Sequence, residues 1–220
     1  MILTHHPANL TIVVEGITPV EEVQQVLLKH EQFIPIGPFK DGITIQEAVF
    51  HNLIGSHSNK FGTIRNWLLN STLRTPQGKF TTGADVMKNV SGYDLTRLLI
   101  GSEGKLGTIV QATFKLVPIS KMEEPTQPIE SGFRIITLPG NFEKLYLELK
   151  KNDNRIISYQ SLGVVDIESL EKTPSMEIKA IQKQLDAKII QIRNGIPLND
   201  AHDLPKIHRQ IFQLFEAEEH

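Results

Sequence analysis

Short alternating and clustered apolar runs divide this chain into brief strands and amphipathic helices. Leu10 to Val14 (LTIVV) is a β-branched run that stops at Gly16, which predicts a strand. Thr18-Pro19-Val20-Glu21 then has the make-up of a capping box with proline at the first helical position. Val20, Val23 and Leu27 recur on one helical face, and Pro35 and Pro38 prevent continuation. Thr44-Ile45-Gln46-Glu47 forms a second box, predicting a helix through about Leu53 that Gly55 closes. Residues 67–75 and 79–82 flank Pro76-Gln77-Gly78, so a β-hairpin is expected there. Asp94 can cap a short helix over 95–100 ending at Gly101, after which 108–117 alternates with Val110, Ala112, Phe114 and Leu116 on one face.

Periodicity disappears over 119–132, where Pro, Glu, Ser and Thr dominate, and this marks a linker. Beyond it the pattern predicts a strand at 133–138, a helix at 141–151, one or two strands within 155–167, a helix at 175–185 and a strand at 188–193. A β-α-β-β-α-β order of this kind suits a small ferredoxin-like sandwich. Residues 204–218 read as a last helix with Ile207, Ile211, Leu214 and Phe215 on one side. The expectation is an α+β protein with one unit over 1–118, a linker over 119–132 and a C-terminal α+β unit over 133–220.

Charge adds a limit on partners. Lys plus Arg number 23 against 25 Asp plus Glu, a formal net charge of −2, so nothing pulls the chain toward nucleic acid or anionic lipid. With no cysteine, disulfides, thiolate nucleophiles and Cys-ligated metals are excluded. The N-terminal MILTHHPANLTIVVEG lacks the build of a signal peptide, and no apolar run reaches the roughly 20 residues of a membrane span. A soluble cytoplasmic protein is expected. No pair of its eight histidines has the helical spacing of a metal site, so no metal is expected, and no G-x-S-x-G elbow anchors a catalytic triad.

The chemistry concentrates in VMKNVSGYDLTRLLIGSEGKLGTIV, where Gly101, Gly104 and Gly107 are spaced by three. A P-loop requires Ser or Thr after Gly-Lys, but Leu106 follows Lys105. Both the P-loop and the dinucleotide fingerprint also require a strand-to-helix order, whereas this segment joins a helix to a strand. Spacing alone gives a turn whose glycines supply positive φ or close backbone approach.

The same segment resembles the signature of FAD-linked oxidases of the vanillyl-alcohol-oxidase type, whose FAD-binding domain is called PCMH-type, and within them the E subunit of glycolate oxidase. The matching positions are Lys88, Asn89, Gly92, Tyr93, Asp94, Leu95, Leu98, Gly101, Ser102, Gly104, Leu106, Gly107 and Pro118, and the resemblance extends over about 5–118. It implies the second subdomain of a PCMH-type domain followed by a cap. Lys88, Asn89, Gly101, Ser102, Gly104, Gly107, Thr108 and Ile109 would lie near FAD, with the glycines admitting the flavin ring. The implied role is a subunit acting with a larger flavoprotein subunit on a small 2-hydroxy acid, within a homo- or hetero-oligomer.

Two departures qualify this. The family's first subdomain would precede residue 1, and its T-x-G-G pyrophosphate segment is replaced by Thr44-Ile45-Gln46-Glu47. A second reading therefore stands beside the first: a flavin-free homologue that serves as an assembly or regulatory partner. The cap-like half carries none of the family's metal motif or acid/base residues, so no catalytic base is nominated.

Overall fold

The computed structural model describes residues 1–83, 96–151, 154–171 and 173–198 of the chain. Two five-stranded antiparallel sheets organise them. The first has the order β1 (Ile2–His6), β2 (Thr11–Glu15), β6 (Thr108–Lys115), β4 (Leu68–Thr75) and β5 (Gly78–Gly83). Helices α1 (Val20–Leu28), α2 (Ile45–Phe50) and α4 (Thr96–Leu99) share its core. That core joins Ile12 and Val14 of β2, Leu68 and Leu73 of β4, and Ala112 and Phe114 of β6 to Val23, Leu27, Ile45 and Val49. A minor pairing of β3 (Gln32–Phe33) with β7 (Val117–Pro118) and a one-turn helix α3 (Ser58–Phe61) complete this half.

Several expectations hold here and three do not. The hairpin forms with Thr75 opposite Gly78. The capping box at Thr18 does not: Pro19 is the N-cap of α1 without a side-chain cap, because the Thr18 hydroxyl accepts from the Met1 amine and Glu21 accepts from the Gly42 amide at 2.9 Å. The helix expected through Leu53 ends at Phe50, and Asn52 turns the chain with φ of 45°. Strand β6 does not keep strict alternation. Its register with β4 shifts so that Leu73 faces Ile109, and Ile109 takes the core place expected of Val110.

The second sheet has the order β12 (Ile196–Leu198), β11 (Lys188–Arg193), β8 (Gly132–Ile136), β10 (Val164–Glu168) and β9 (Ile156–Tyr159). With α5 (Phe142–Leu149) after β8 and α6 (Met176–Leu185) after β10, this is the β-α-β-β-α-β sandwich expected from the sequence, extended by the edge strand β12. Residues 155–167 resolve into two strands. Phe133, Ile135, Val165 and Ile167 face α5 and α6, and Ser175 caps α6 by accepting from the Ile178 amide at 3.3 Å. The helix expected over 204–218 lies outside the described residues.

The reverse face of this sheet meets the first half. Ile157, Tyr159, Val164 and Ile192 cluster with Ile129, and Ile54 packs on them. Asn59 Nδ2 donates to the Ser158 carbonyl at 3.0 Å, and Lys60 reaches the Lys121 carbonyl at 3.2 Å and Glu123 at 2.8 Å. The α3 region thus ties the connecting segment to both sheets.

His57 sits at the centre of that region, buried between Phe33 and Phe61 with ring centroids at 5.4 and 6.4 Å. Burial lowers its pKa, only partly offset by Glu123. A group with a depressed folded-state pKa contributes stability above its unfolded value of 6.5 and loses it as pH falls through the folded value. His51 is lowered in the same direction, chiefly by burial, and adds to the effect. The urea midpoint is therefore expected to fall between pH 7.5 and pH 5, and His57→Phe is expected to flatten that dependence.

Candidate functional site

The glycine turn is held against the end of α2. The Gly101 amide donates to the Val49 carbonyl at 3.1 Å and the Glu103 amide to the Phe50 carbonyl at 3.0 Å. The Phe50 carbonyl is one that the helix C-terminus leaves open, while the Val49 carbonyl also accepts from the Asn52 amide at 3.1 Å. Within the turn, Ser102 donates to Leu99, Lys105 to Ser102 and Gly107 to Gly104, at 3.1 to 3.2 Å. Gly101, Glu103, Gly104 and Gly107 all have positive φ.

The glycines are not interchangeable. A Cβ at Gly107 would lie 2.5 Å from the Arg74 carbonyl oxygen, so this glycine lets the turn pass β4. A Cβ at Gly104 would rest 3.5 Å from the Phe50 ring, an ordinary contact, and one at Gly101 would meet only Asn52 Cβ at 4.0 Å. Gly107 is therefore fixed by packing, Gly104 and Gly101 by backbone conformation.

The polar groups around the turn are His51, Asn52, Ser102, Glu103 and Lys105. Ser102 is fully buried, and neither its hydroxyl nor Asn52 Oδ1 has a hydrogen-bond partner among the described residues. Burial lowers the His51 pKa against the opposing pull of Glu103 and Glu47, which keeps the imidazole neutral at pH 7. Lys105 pairs with Glu103 at 3.3 Å. Thr108 is exposed at the start of β6, while the Ile109 side chain is 1% exposed and belongs to the core. The Ile109 carbonyl is packed against buried Gly16, where a Cβ would stand 2.1 Å from the Ile109 oxygen.

Of the residues expected near a flavin, the structure thus brings Gly101, Ser102, Gly104, Gly107, Thr108 and Ile109 into one continuous turn and strand start. Lys88 and Asn89 lie outside the described residues. Sequence reading missed the partners of the turn, Val49, Phe50 and Asn52, because a contact across some fifty positions leaves no local spacing signal.

The described residues do not fit the diphosphate of FAD at α2. Glu47, which stands at the last position of the expected T-x-G-G segment, has its carboxylate committed to a capping box: Oε2 accepts from the Thr44 amide at 2.8 Å and the Thr44 hydroxyl at 2.7 Å. A pyrophosphate there would meet a carboxylate instead of free backbone amides.

Two other sites are polar. Between the halves lies a cavity of about 1090 Å³ lined by Lys40, Asp41, Glu130, Arg155, Glu168 and Glu177 among others. Its cations are paired, Lys40 with Glu130 at 3.1 Å and Arg155 with Glu168 at 3.6 Å. On the reverse face of the second sheet, Arg134 holds Asp166 by two hydrogen bonds of 2.7 and 2.8 Å, both residues buried. Burial disfavours the Arg134 cation, yet the Asp166 carboxylate outweighs it and raises its pKa further. Burial, reinforced by Asp166, pushes the Tyr159 hydroxyl far above its ordinary value. Both shifts lead away from the range in which a catalytic base works near neutral pH. Among the described residues no group of three or more His, Asp or Glu could hold a metal ion, and no helix is long and apolar enough to cross a membrane.

No family model matches the chain. It is 32% identical over 120 residues to glycolate oxidase subunit GlcE of Escherichia coli, covering 53% of this chain and 34% of that protein. Glycolate oxidase subunit GlcD of Bacillus subtilis is 36% identical over 113 residues, covering 50% and 24%. The mitochondrial D-lactate dehydrogenase [cytochrome] of Arabidopsis thaliana is 24% identical over 224 residues, covering 95% and 38%. The chain is a homologue of glycolate oxidase subunits and D-lactate dehydrogenases. It spans only 24% to 38% of the length of these relatives. A solved alkyldihydroxyacetonephosphate synthase matches with a TM-score of 0.50 at 16% identity, over 99% of this chain and 40% of that one. The glycolate oxidase homologue therefore has the α+β, PCMH-type fold that its sequence implies.

Proposed function

We propose that this chain is a subunit of a cytoplasmic FAD-linked oxidoreductase of the glycolate-oxidase type, working with a larger flavoprotein subunit in the oxidation of a small 2-hydroxy acid. The observation that carries this reading is the match to glycolate oxidase subunit GlcE, together with the continuous turn that its GSEGKLG residues form. In this reading the Gly101 to Ile109 turn lines the edge of a flavin ring at a subunit interface, with Lys88 and Asn89 nearby. FAD would supply the redox chemistry. The chain's own contribution is a backbone edge held in place: the turn is bonded to α2 through Gly101 and Glu103, and Gly107 passes close against β4.

The test is recovery of the tagged chain from its own cells. The chain is expected to bring down a larger polypeptide with flavin absorbance, and the complex to reduce an artificial electron acceptor on addition of glycolate or D-lactate. A chain recovered alone, with no flavin and no dye reduction on either acid, would contradict the proposal.

A further inference from the structure

Strand β5 ends the first sheet, and among the described residues it pairs with β4 alone. Gly78, Lys79, Phe80 and Thr81 are all exposed, and an unpaired edge of this kind offers its backbone donors and acceptors to another strand. Two features set this edge apart. Arg74 and Lys79 stand directly opposite each other on β4 and β5, both exposed, and neither has an ion-pair partner among the described residues. Like charges in that relation destabilise the pairing of their strands. Phe80 lies opposite the core residue Leu73, on the other face, and is 52% exposed. Beside the two cations the Thr72 and Thr81 hydroxyls, 3.1 Å apart across the strands, continue the same polar face.

From this edge we infer that β5 accepts an extended, acidic segment of a partner polypeptide as a further strand of the sheet. Successive side chains of a strand alternate between faces, so the incoming segment would set carboxylates beside Arg74 and Lys79 and apolar side chains beside Phe80. Such an occupant neutralises the cation pair and covers the phenyl ring together. A neutral strand would leave the cations unpaired, and a basic one would add to their repulsion. Lysine on an edge discourages chance pairing, and here it also selects by charge. A nucleic acid fits less well, because its backbone carries one charge per roughly 1.7 Å and would meet two cations with the aromatic ring on the opposite face. The edge would take its strand whether or not the glycine turn meets a flavin.

The experiment titrates the full chain with two blocked heptapeptides, one alternating glutamate with valine and one alternating lysine with valine, while backbone amide shifts are read. The glutamate peptide is expected to shift the Gly78 to Thr82 amides saturably and to bind about tenfold tighter than the lysine peptide, as two attractive surface pairs replace two repulsive ones. Salt should narrow that difference. Arg74→Glu combined with Lys79→Glu, both at exposed positions, is expected to reverse the order of the two peptides. Absence of binding, shifts away from β5, equal affinity of the two peptides in the unaltered chain, or an order that the charge reversal in a folded variant leaves unchanged would overturn the inference. So would tighter binding of a single-stranded oligonucleotide at the same amides, or concentration-dependent shifts there without peptide, which would make the occupant a nucleic acid or a second copy of the chain.

Discussion

Asp166→Ala is expected to destabilise the second half of the chain by roughly 3–5 kcal/mol, the range for breaking a buried ion pair by removing one partner. The Arg134 guanidinium is buried among Tyr159 and the strands β8 and β10, and Asp166 accepts from it at both carboxylate oxygens. Removing the carboxylate leaves a desolvated cation without a counter-charge. It also takes away the acceptor that Tyr159 uses. The double change Arg134→Met with Asp166→Leu removes both charges at similar volume, so it should recover most of the loss. Urea unfolding followed by far-UV circular dichroism reads both. A double variant no more stable than Asp166→Ala would mean that Arg134 is compensated by other groups.

The second large effect separates two glycines of one turn. Gly107→Ala places a methyl group 2.5 Å from the Arg74 carbonyl oxygen at φ of 131°, a conformation L-residues rarely adopt, and is expected to cost roughly 2–4 kcal/mol. Gly101→Ala meets only Asn52 Cβ at 4.0 Å and occupies the left-handed region at φ of 81°, so its cost should stay near ~1–2 kcal/mol. Thermal unfolding compares the pair. Flavin binding adds a second reading: if the turn edge meets the ring, Gly101→Ala should weaken riboflavin binding more than its small stability loss explains. Equal unfolding costs for the two variants would show that the approach to β4 does not constrain Gly107.

The sequence made the local devices visible and hid the distant ones. The Thr44–Glu47 box is legible because all its partners lie within four residues, and it forms as expected. The equally clear box at Thr18 does not form, because the Thr18 hydroxyl is taken by the Met1 amine, seventeen positions away. Strand β1, with the sequence ILTHH, escaped notice since it lacks the alternation of a half-buried strand; its pairing with β2 comes from the sheet. The exchange of Val110 for Ile109 in the core follows from a register shift that no single strand encodes. In the candidate site, the positive-φ glycines were readable from composition. Their anchor, the Val49 and Phe50 carbonyls, was not, and neither was the Arg134–Asp166 pair, whose members stand 32 positions apart on neighbouring strands. The ferredoxin-like order was legible throughout, because each of its elements carries its own periodicity.

The central claim is that the Gly101 to Ile109 turn lies against a flavin ring. Backbone amide shifts measured on the isotope-labelled chain during a riboflavin titration test it most directly, since riboflavin carries the ring without a phosphate. Saturable shifts clustered at Gly101 to Ile109 and at Phe50 to Asn52 behind it are the predicted result. Shifts absent from the turn, or confined to the cavity around Lys40 and Arg155, would contradict it.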